Sequence, residues 1–301
     1  VRLKGQYRGI DLADKVQRDY VYGVEPGEST GMPALDPYYL VKRGQWTVVT
    51  GMPGHGKSTF VDNVMVSLAK RSGWRFLVCS PENQPLERHF ENLLEIGSGR
   101  AFANDRLRNT MSPEELVSES IFVDKHFQFI APDETEFHIE YILSMAEVIH
   151  QDWPFDGFLL DPYNELEHKR PPGMSETDYI SRILILFRRF CRRVNVHGWL
   201  VAHPTKMKEI NPSLGEGDVV QRKIYAMPSL YDIAGSANWR NKADMGIVVY
   251  RDFRQEPEKS IVSIQKVRFM ECGRLGEATF EFNRVNKRFY TTWEEQWEPI
   301  S

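Results

Sequence analysis

Long apolar runs are missing from this chain of 301 residues. None approaches the roughly 20 residues needed to span a bilayer. The N-terminus lacks the basic, apolar and small-residue order of a signal peptide. Cysteine is scarce: Cys79, Cys191 and Cys272 are widely separated and form no metal-ligand spacing, so they read as buried thiols in a reducing compartment. A strong charge of one sign is lacking too. A formal net charge of −4 does not advertise a nucleic-acid binder, but a basic channel can be local while the exterior stays acidic. No internal repeat is visible. What remains, 41% apolar and 27% charged residues, is the make-up of a globular protein.

Against that background, residues 46–58 stand out: Trp-Thr-Val-Val-Thr-Gly-Met-Pro-Gly-His-Gly-Lys-Ser. An apolar, β-branched run feeds a G-x-x-x-x-G-K-S motif, and an amphipathic helical pattern follows from Thr59. Strand, phosphate-cradling loop and helix N-terminus come in the order a nucleoside-triphosphate site requires. Gly51, Gly54 and Gly56 allow a tight turn whose backbone N–H groups aim at phosphate oxygens, and the helix dipole favours the same charge. Gly51, Gly54, His55, Gly56, Lys57, Ser58 and Thr59 are thus the nucleotide-binding candidates. Lys57 is expected to reach the β- and γ-phosphates and Ser58 to ligate Mg²⁺.

Residues 1–30 read apart from the rest. Ile10, Leu12 and Val16 lie at irregular helical spacing in a short segment whose apolar side needs a body to dock on, either this subunit or a neighbour. Beyond a Pro- and Gly-rich connector, strands are expected at 46–50, 75–80, 127–130, 157–161 and 198–202. Helices are expected from about 59 to 72, 84 to 96, 135 to 150 and 176 to 195, with a charged and helical stretch over 99–126. This alternation predicts a mainly parallel sheet covered by helices. Residues 204–230 form a long polar loop region, a length that is usually functional or disordered. Strands near 245–250, 260–268, 277–283 and 287–292 close the chain as antiparallel hairpins.

Three further residues complete a hydrolytic reading. Asp161 ends the apolar run Phe158-Leu-Leu and emerges where open α/β sheets bind ligands; it is either the second Mg²⁺ carboxylate or an ordinary Asp-Pro turn. Glu82 follows the strand at 75–80, expected beside the phosphate-loop strand. It either polarises an attacking water or serves as a helix N-terminal acid. His203 ends the strand at 198–202 and is either a γ-phosphate sensor or structural. Lys266 and Arg268 share a strand face by the period of two, as solvated surface or as cations reaching a neighbour's phosphates. Arg188, Arg189, Arg192 and Arg193 fall on the outer face of the helix at 176–195, because Ile180, Ile183, Leu184, Phe187, Phe190 and Cys191 claim its inner face.

These residues together carry a family resemblance. The phosphate loop, Cys79-Ser-Pro-Glu82, Leu159-Leu-Asp161, Val201-Ala-His203-Pro-Thr-Lys206, Asp232-Ile-Ala-Gly-Ser-Ala237 with Ala243-Asp244, Lys266-Val-Arg268-Phe and Phe280-Glu-Phe-Asn283 resemble the motor domain of hexameric replicative DNA helicases. The Twinkle-like and phage primase–helicase branch looks nearer than the DnaB type. The resemblance spans about Gly31 to Phe289. It implies a RecA-like P-loop NTPase domain over 31–301, with a mainly parallel sheet flanked by helices and antiparallel C-terminal strands. It also implies ATP and Mg²⁺ as cofactors, Glu82 as catalytic carboxylate, His203 as γ-phosphate sensor and Arg268 as an arginine finger in trans with Lys266 beside it. Residues 1–30 become a linker docking on the next subunit of a ring, expected to be a hexamer. A chain beginning with Val rather than Met reads as a fragment of something longer, consistent with a missing N-terminal domain; whether that is a primase or primase-like domain the sequence leaves open. The setting implied is the cytoplasm of a bacterium or phage-infected cell, with an organelle matrix as the alternative and no membrane. Two departures stand beside the resemblance: Asp161 precedes Pro162, and the loop after His203 is long and carries acids among its bases.

Single-stranded DNA is the expected track, moved along 5′ to 3′. Gripping it without sequence preference takes cations that follow phosphates, and Lys206, Lys208, Arg222 and Lys223 are the candidates. The backbone near Gly235 and Ser236 is a second candidate, by the resemblance. Two other functions share the core: a RecA-like recombination or repair ATPase acting as a filament, and a nucleotide-dependent assembly switch that unwinds nothing.

Overall fold

The computed structural model describes residues 5–102, 109–133, 136–205, 209–210, 224–233, 237–252 and 259–291. Its helices are α1 Gly9–Tyr22, α2 Lys57–Ser72, α3 Leu86–Ser98, α4 Pro113–His126, α5 Ile139–Asp152, α6 Glu176–Val194 and α7 Asn238–Lys242. The strands are β1 Trp46–Thr50, β2 Phe76–Cys79, β3 Phe127–Phe129, β4 Gly157–Leu160, β5 His197–Val201, β6 Glu209–Ile210, β7 Ile224–Tyr225, β8 Met245–Asp252, β9 Lys259–Val267, β10 Gly276–Phe282 and β11 Phe289–Tyr290.

Nine strands form one sheet in the order β11-β10-β9-β8-β1-β5-β4-β2-β3. From β8 to β3 the pairing is parallel, and from β8 outward through β9, β10 and β11 it is antiparallel. The expected architecture is present. One expectation needs correction: β2 does not neighbour β1, because β5 and β4 lie between them. The strands that flank β1 are β5 and β8, both of which come later in the chain.

Sequence chemistry accounts for the element ends. Ser112 caps α4 reciprocally with Glu115, ahead of Pro113 in the first turn. This helix begins later than the expected 99–126. Gly73 takes a left-handed conformation at φ 67° and returns its N–H to Ala69, ending α2. α5 starts at Ile139 behind a His138 cap rather than near 135, and the last strand shrinks to two residues.

Helices cover both sheet faces. Phe60, Val64 and Leu68 of α2, Leu93 of α3 and Val123 of α4 pack on one side with Phe76 and Val249. Ile142 of α5 and Ile183, Leu184 and Phe187 of α6 pack on the other with Phe158 and Leu200. The three cysteines are buried and free. By contrast α1 buries none of its residues: Ile10 is 67% exposed and Tyr20 89%. None of the described residues of this subunit covers its apolar side. Among the described residues no helix is long and apolar enough to cross a membrane.

Candidate nucleotide site

β1 is buried along its whole length between β5 and β8, so the loop that leaves it emerges mid-sheet. Gly51 passes so close to β8 that a Cβ there would meet the Val249 carbonyl oxygen at 2.1 Å. Gly54 and Gly56 hold φ of 74° and 90°, and Gly56 opens α2. The loop folds onto its own Met52 carbonyl, which accepts the His55 N–H and the Lys57 ammonium, each at 3.2 Å. Burial pulls the Lys57 pKa down, while the Asp161 and Glu82 charges push it back up.

His55 turns inward. Its Nδ1 accepts the Arg251 N–H at 2.9 Å, its ring lies 5.3 Å from that of Tyr250, and burial followed by the Arg251 and Lys57 charges pushes its pKa to about 4. The imidazole is therefore neutral, with Nε2 carrying the proton. Its contacts pin the loop to β8, so the side chain acts on the loop from behind.

Asp161 stands just past β4, its N–H bonded to the Cys79 carbonyl of β2 at 2.9 Å. It is fully buried, and neither carboxylate oxygen meets a donor in hydrogen-bonding geometry among the described residues. Burial raises its pKa to about 6; the Ser58 hydroxyl opposes this, and the Asp62 and Glu82 charges add to it. A buried carboxylate with unused oxygens beside a hydroxyl at a helix N-terminus suits a hydrated divalent cation. The residues present thus fit Mg²⁺ with a triphosphate.

Glu82 and His203 arrive from different strands, β2 and β5. His203 Nε2 lies 2.9 Å from Glu82 Oε1, and the His203 N–H is held by Asn164 Oδ1 at 2.7 Å. Asn164 was not among the sequence candidates. An amide three residues beyond Asp161, in the loop leaving the same sheet edge, is the only signal it offers. A buried pair also escaped the sequence: His89 of α3 and Asp62 of α2, 2.9 Å apart.

Lys266 and Arg268 sit elsewhere. Because β9 runs against β8, Lys266 lies opposite Gly246, level with Val48 in the middle of β1, and Arg268 follows beside Asp244, level with Trp46 at its start. The phosphate loop leaves the other end of β1, about 17 Å along the sheet from the level of Arg268 and about 10 Å from that of the Lys266 backbone. Both cations hold the end of α7: Lys266 Nζ donates to the Arg240 and Asn241 carbonyls, and Arg268 Nη2 to the Asn241 carbonyl at 2.8 Å. Arg268 Nη1 also pairs with buried Asp244 at 3.1 Å. Arg189, Arg192 and Arg193 of α6 are exposed as expected, Arg193 against Glu147 and Arg192 3.9 Å from Asp244, whereas Arg188 is half-buried.

The DNA candidates Lys206, Lys208, Arg222, Lys223, Gly235 and Ser236 lie outside the described residues. What frames them is described. β6 pairs with β7, Glu209 opposite Tyr225 and Ile210 opposite Ile224, so the chain between is closed at its base. Tyr250 donates to the Tyr225 carbonyl at 2.8 Å, and Thr205 N–H bonds to Asp232, two residues past His203.

No family model matches the chain. It is 33% identical over 293 residues to the Twinkle homolog protein, chloroplastic/mitochondrial, of Arabidopsis thaliana, covering 94% of this chain and 39% of that protein. It is 22% identical over 294 residues to a probable plasmid replicative DNA helicase of Chlamydia psittaci, covering 95% and 59%. The chain thus spans well under two thirds of both relatives. Among solved structures, a DnaB-like replicative helicase described with its primase interactions superposes with a TM-score of 0.71 at 19% identity, over 95% of this chain and 68% of that one. A KaiC-like protein of Pyrococcus horikoshii gives 0.56 at 13% identity, over 89% and 100%. The sequence is similar along nearly its whole length to a Twinkle homologue, and its fold is the RecA-like ATPase fold of DnaB-like replicative helicases.

Proposed function

We propose that this chain is the ATP-driven motor of a replicative DNA helicase, in which residues 31–301 form the motor domain and residues 1–30 the linker to the next subunit. The observation that carries this reading is the splitting of the site between opposite sheet edges. Cradle, Asp161, Glu82 and His203 share one edge, while Lys266 and Arg268 occupy the other. A cation that cannot serve its own nucleotide can serve a neighbour's when subunits associate head to tail, and such association closes into a ring where the rotation between subunits closes. The exposed apolar side of α1 supplies a second contact in the same assembly, which we take to be a hexamer.

In this motor the loop N–H groups and Lys57 bind the ATP phosphates. Ser58 would hold Mg²⁺ directly and Asp161 through its waters; when bound, the ion neutralises charge on the phosphates. Glu82 accepts the proton of the water that attacks the γ-phosphorus as the bond to ADP breaks. His203 holds the Glu82 carboxylate in place and, being at the γ-phosphate edge, relays its presence to the segment beyond Thr205. There Lys206, Lys208, Arg222, Lys223 and the backbone at Gly235 and Ser236 would hold single-stranded DNA, and turnover would move it 5′ to 3′ through the ring. The similarity to a plasmid replicative helicase favours unwinding over a strand-exchange filament or an assembly switch.

The test combines two measurements: the oligomeric state with a non-hydrolysable ATP analogue and single-stranded DNA, and unwinding of a forked duplex. Rings that unwind from a 5′ tail are expected. Filaments, or robust ATPase activity without strand separation, would count against the helicase reading.

A further inference from the structure

Asp244 is the residue that the proposed reaction leaves unused. It is wholly buried in front of β8, at the edge opposite the phosphate loop. Its main chain and side chain tie three elements together. The Trp46 N–H, first in β1, donates to Oδ2 at 3.3 Å, and the Asp244 N–H donates to the Trp46 carbonyl at 3.2 Å. The Arg268 N–H donates to the Asp244 carbonyl at 2.9 Å, and Arg268 Nη1 stands 3.1 Å from Oδ1. Apart from that charge contact Oδ1 has no hydrogen-bond partner among the described residues, and Arg192 is more distant at 3.9 Å.

Two models of Arg268 can be separated physically. In one the guanidinium swings away from Asp244 to reach the neighbouring nucleotide. In the other it stays and presents its outer N–H edge. Swinging would leave a buried carboxylate without its closest cation, which is strongly unfavourable. A guanidinium carries five N–H donors in a fixed fork, so it can keep Asp244 and the Asn241 carbonyl and still offer others outward. Its side chain is 27% exposed, which leaves that edge available. Through Trp46 the same carboxylate is fixed to the strand that ends in this subunit's phosphate loop.

We propose that Asp244 is a positioning residue that anchors Arg268 as a fixed, outward-facing group and joins it to the strand carrying its own subunit's phosphate loop. This rests on the reading that Arg268 completes a neighbour's site.

Asp244→Asn keeps the shape and the acceptor for the Trp46 N–H while removing the charge. DNA-stimulated kcat is expected to fall on the order of tenfold, with KM for ATP and ring assembly unchanged. In an Arg268→Ala background the same substitution should cost nothing further, because Asp244 acts only through that arginine. Should Asp244→Asn fail to fold, Asp244→Glu, which retains the charge but displaces it, runs the same cycle. Unimpaired kcat in Asp244→Asn, or losses that add in the double variant, overturn the proposal while leaving the trans site standing. Normal turnover in Arg268→Ala alone would instead overturn the reading beneath it.

Discussion

His203 Nε2 and Glu82 Oε1 meet at 2.9 Å although the residues are 121 positions apart and their strands, β5 and β2, are separated by β4. A carboxylate in a segment between a strand and a helix has freedom to turn away from the nucleotide; the imidazole restrains it. Glu82→Gln is expected to lower kcat by about 10²–10⁴-fold with nucleotide binding retained. His203→Ala should lower kcat less and leave KM for ATP within about twofold, as expected of a residue acting on the transition state through Glu82. Steady-state ATPase assays with fluorescent-nucleotide titrations check both. A His203→Ala enzyme of full activity would mean that the contact is only structural.

Lys57 is buried and its ammonium rests on the Met52 carbonyl. Lys57→Ala should abolish measurable hydrolysis, since no other cation lies on the loop. Circular dichroism should show the fold retained, because the lost hydrogen bond is worth only about 1–3 kcal/mol.

Arg268 and Glu82 belong to opposite edges, so their defects should complement. Mixed rings of Arg268→Ala and Glu82→Gln subunits contain interfaces where an intact Glu82 faces an intact arginine. DNA-stimulated turnover is expected to rise on mixing, from two preparations that are each strongly impaired alone. Failure to recover activity in rings shown to be mixed would place the whole site within one subunit.

The burial of Asp161 costs stability when its carboxylate is ionised. Burial raises its pKa from 3.8 to about 6, so the folded, ligand-free protein holds a proton that the unfolded chain releases. Its contribution is fully favourable below pH 3.8 and is lost as pH rises through 6. The difference is worth up to about 3 kcal/mol. Asp161→Asn should therefore raise the melting temperature of the ligand-free protein by a few degrees at pH 7, with the gain vanishing by about pH 4, while hydrolysis is lost. Melting curves across that range decide it.

His197 carries the opposite sign. It is fully buried against Thr47 and the Lys42 carbonyl, and burial lowers its pKa from 6.5 to about 4. Its stabilising contribution is complete above pH 6.5 and is lost as pH falls toward 4, amounting to roughly 3 kcal/mol. Denaturant titrations should show His197→Gln losing less stability than the natural sequence over that interval.

Local chemistry made much of this readable. The strand at 46–50, the loop at 51–58 and the helix after it follow from neighbours in sequence, and the alternation of elements called for a parallel sheet. The sheet order did not follow, because strand pairing depends on which crossover packs where. That is why β2 seemed adjacent to β1 when β5 and β4 intervene. α1 showed an unmatched apolar side in sequence, and in the fold that side remains uncovered.

What the sequence determined by itself is the phosphate cradle, since glycine spacing, lysine and hydroxyl act within eight consecutive residues. The residue types of Glu82, Asp161 and His203 at strand ends were legible because continuous apolar runs, buried on both faces, stop abruptly at a polar residue. The tertiary structure decided which of these side chains meet. It brought His203 to Glu82, added Asn164, and buried Asp161 beside the Ser58 hydroxyl. It also set Arg268 on Asp244 at the far edge, because β9, antiparallel to β8, carries its C-terminal end away from the phosphate loop toward which β8, parallel to β1, runs.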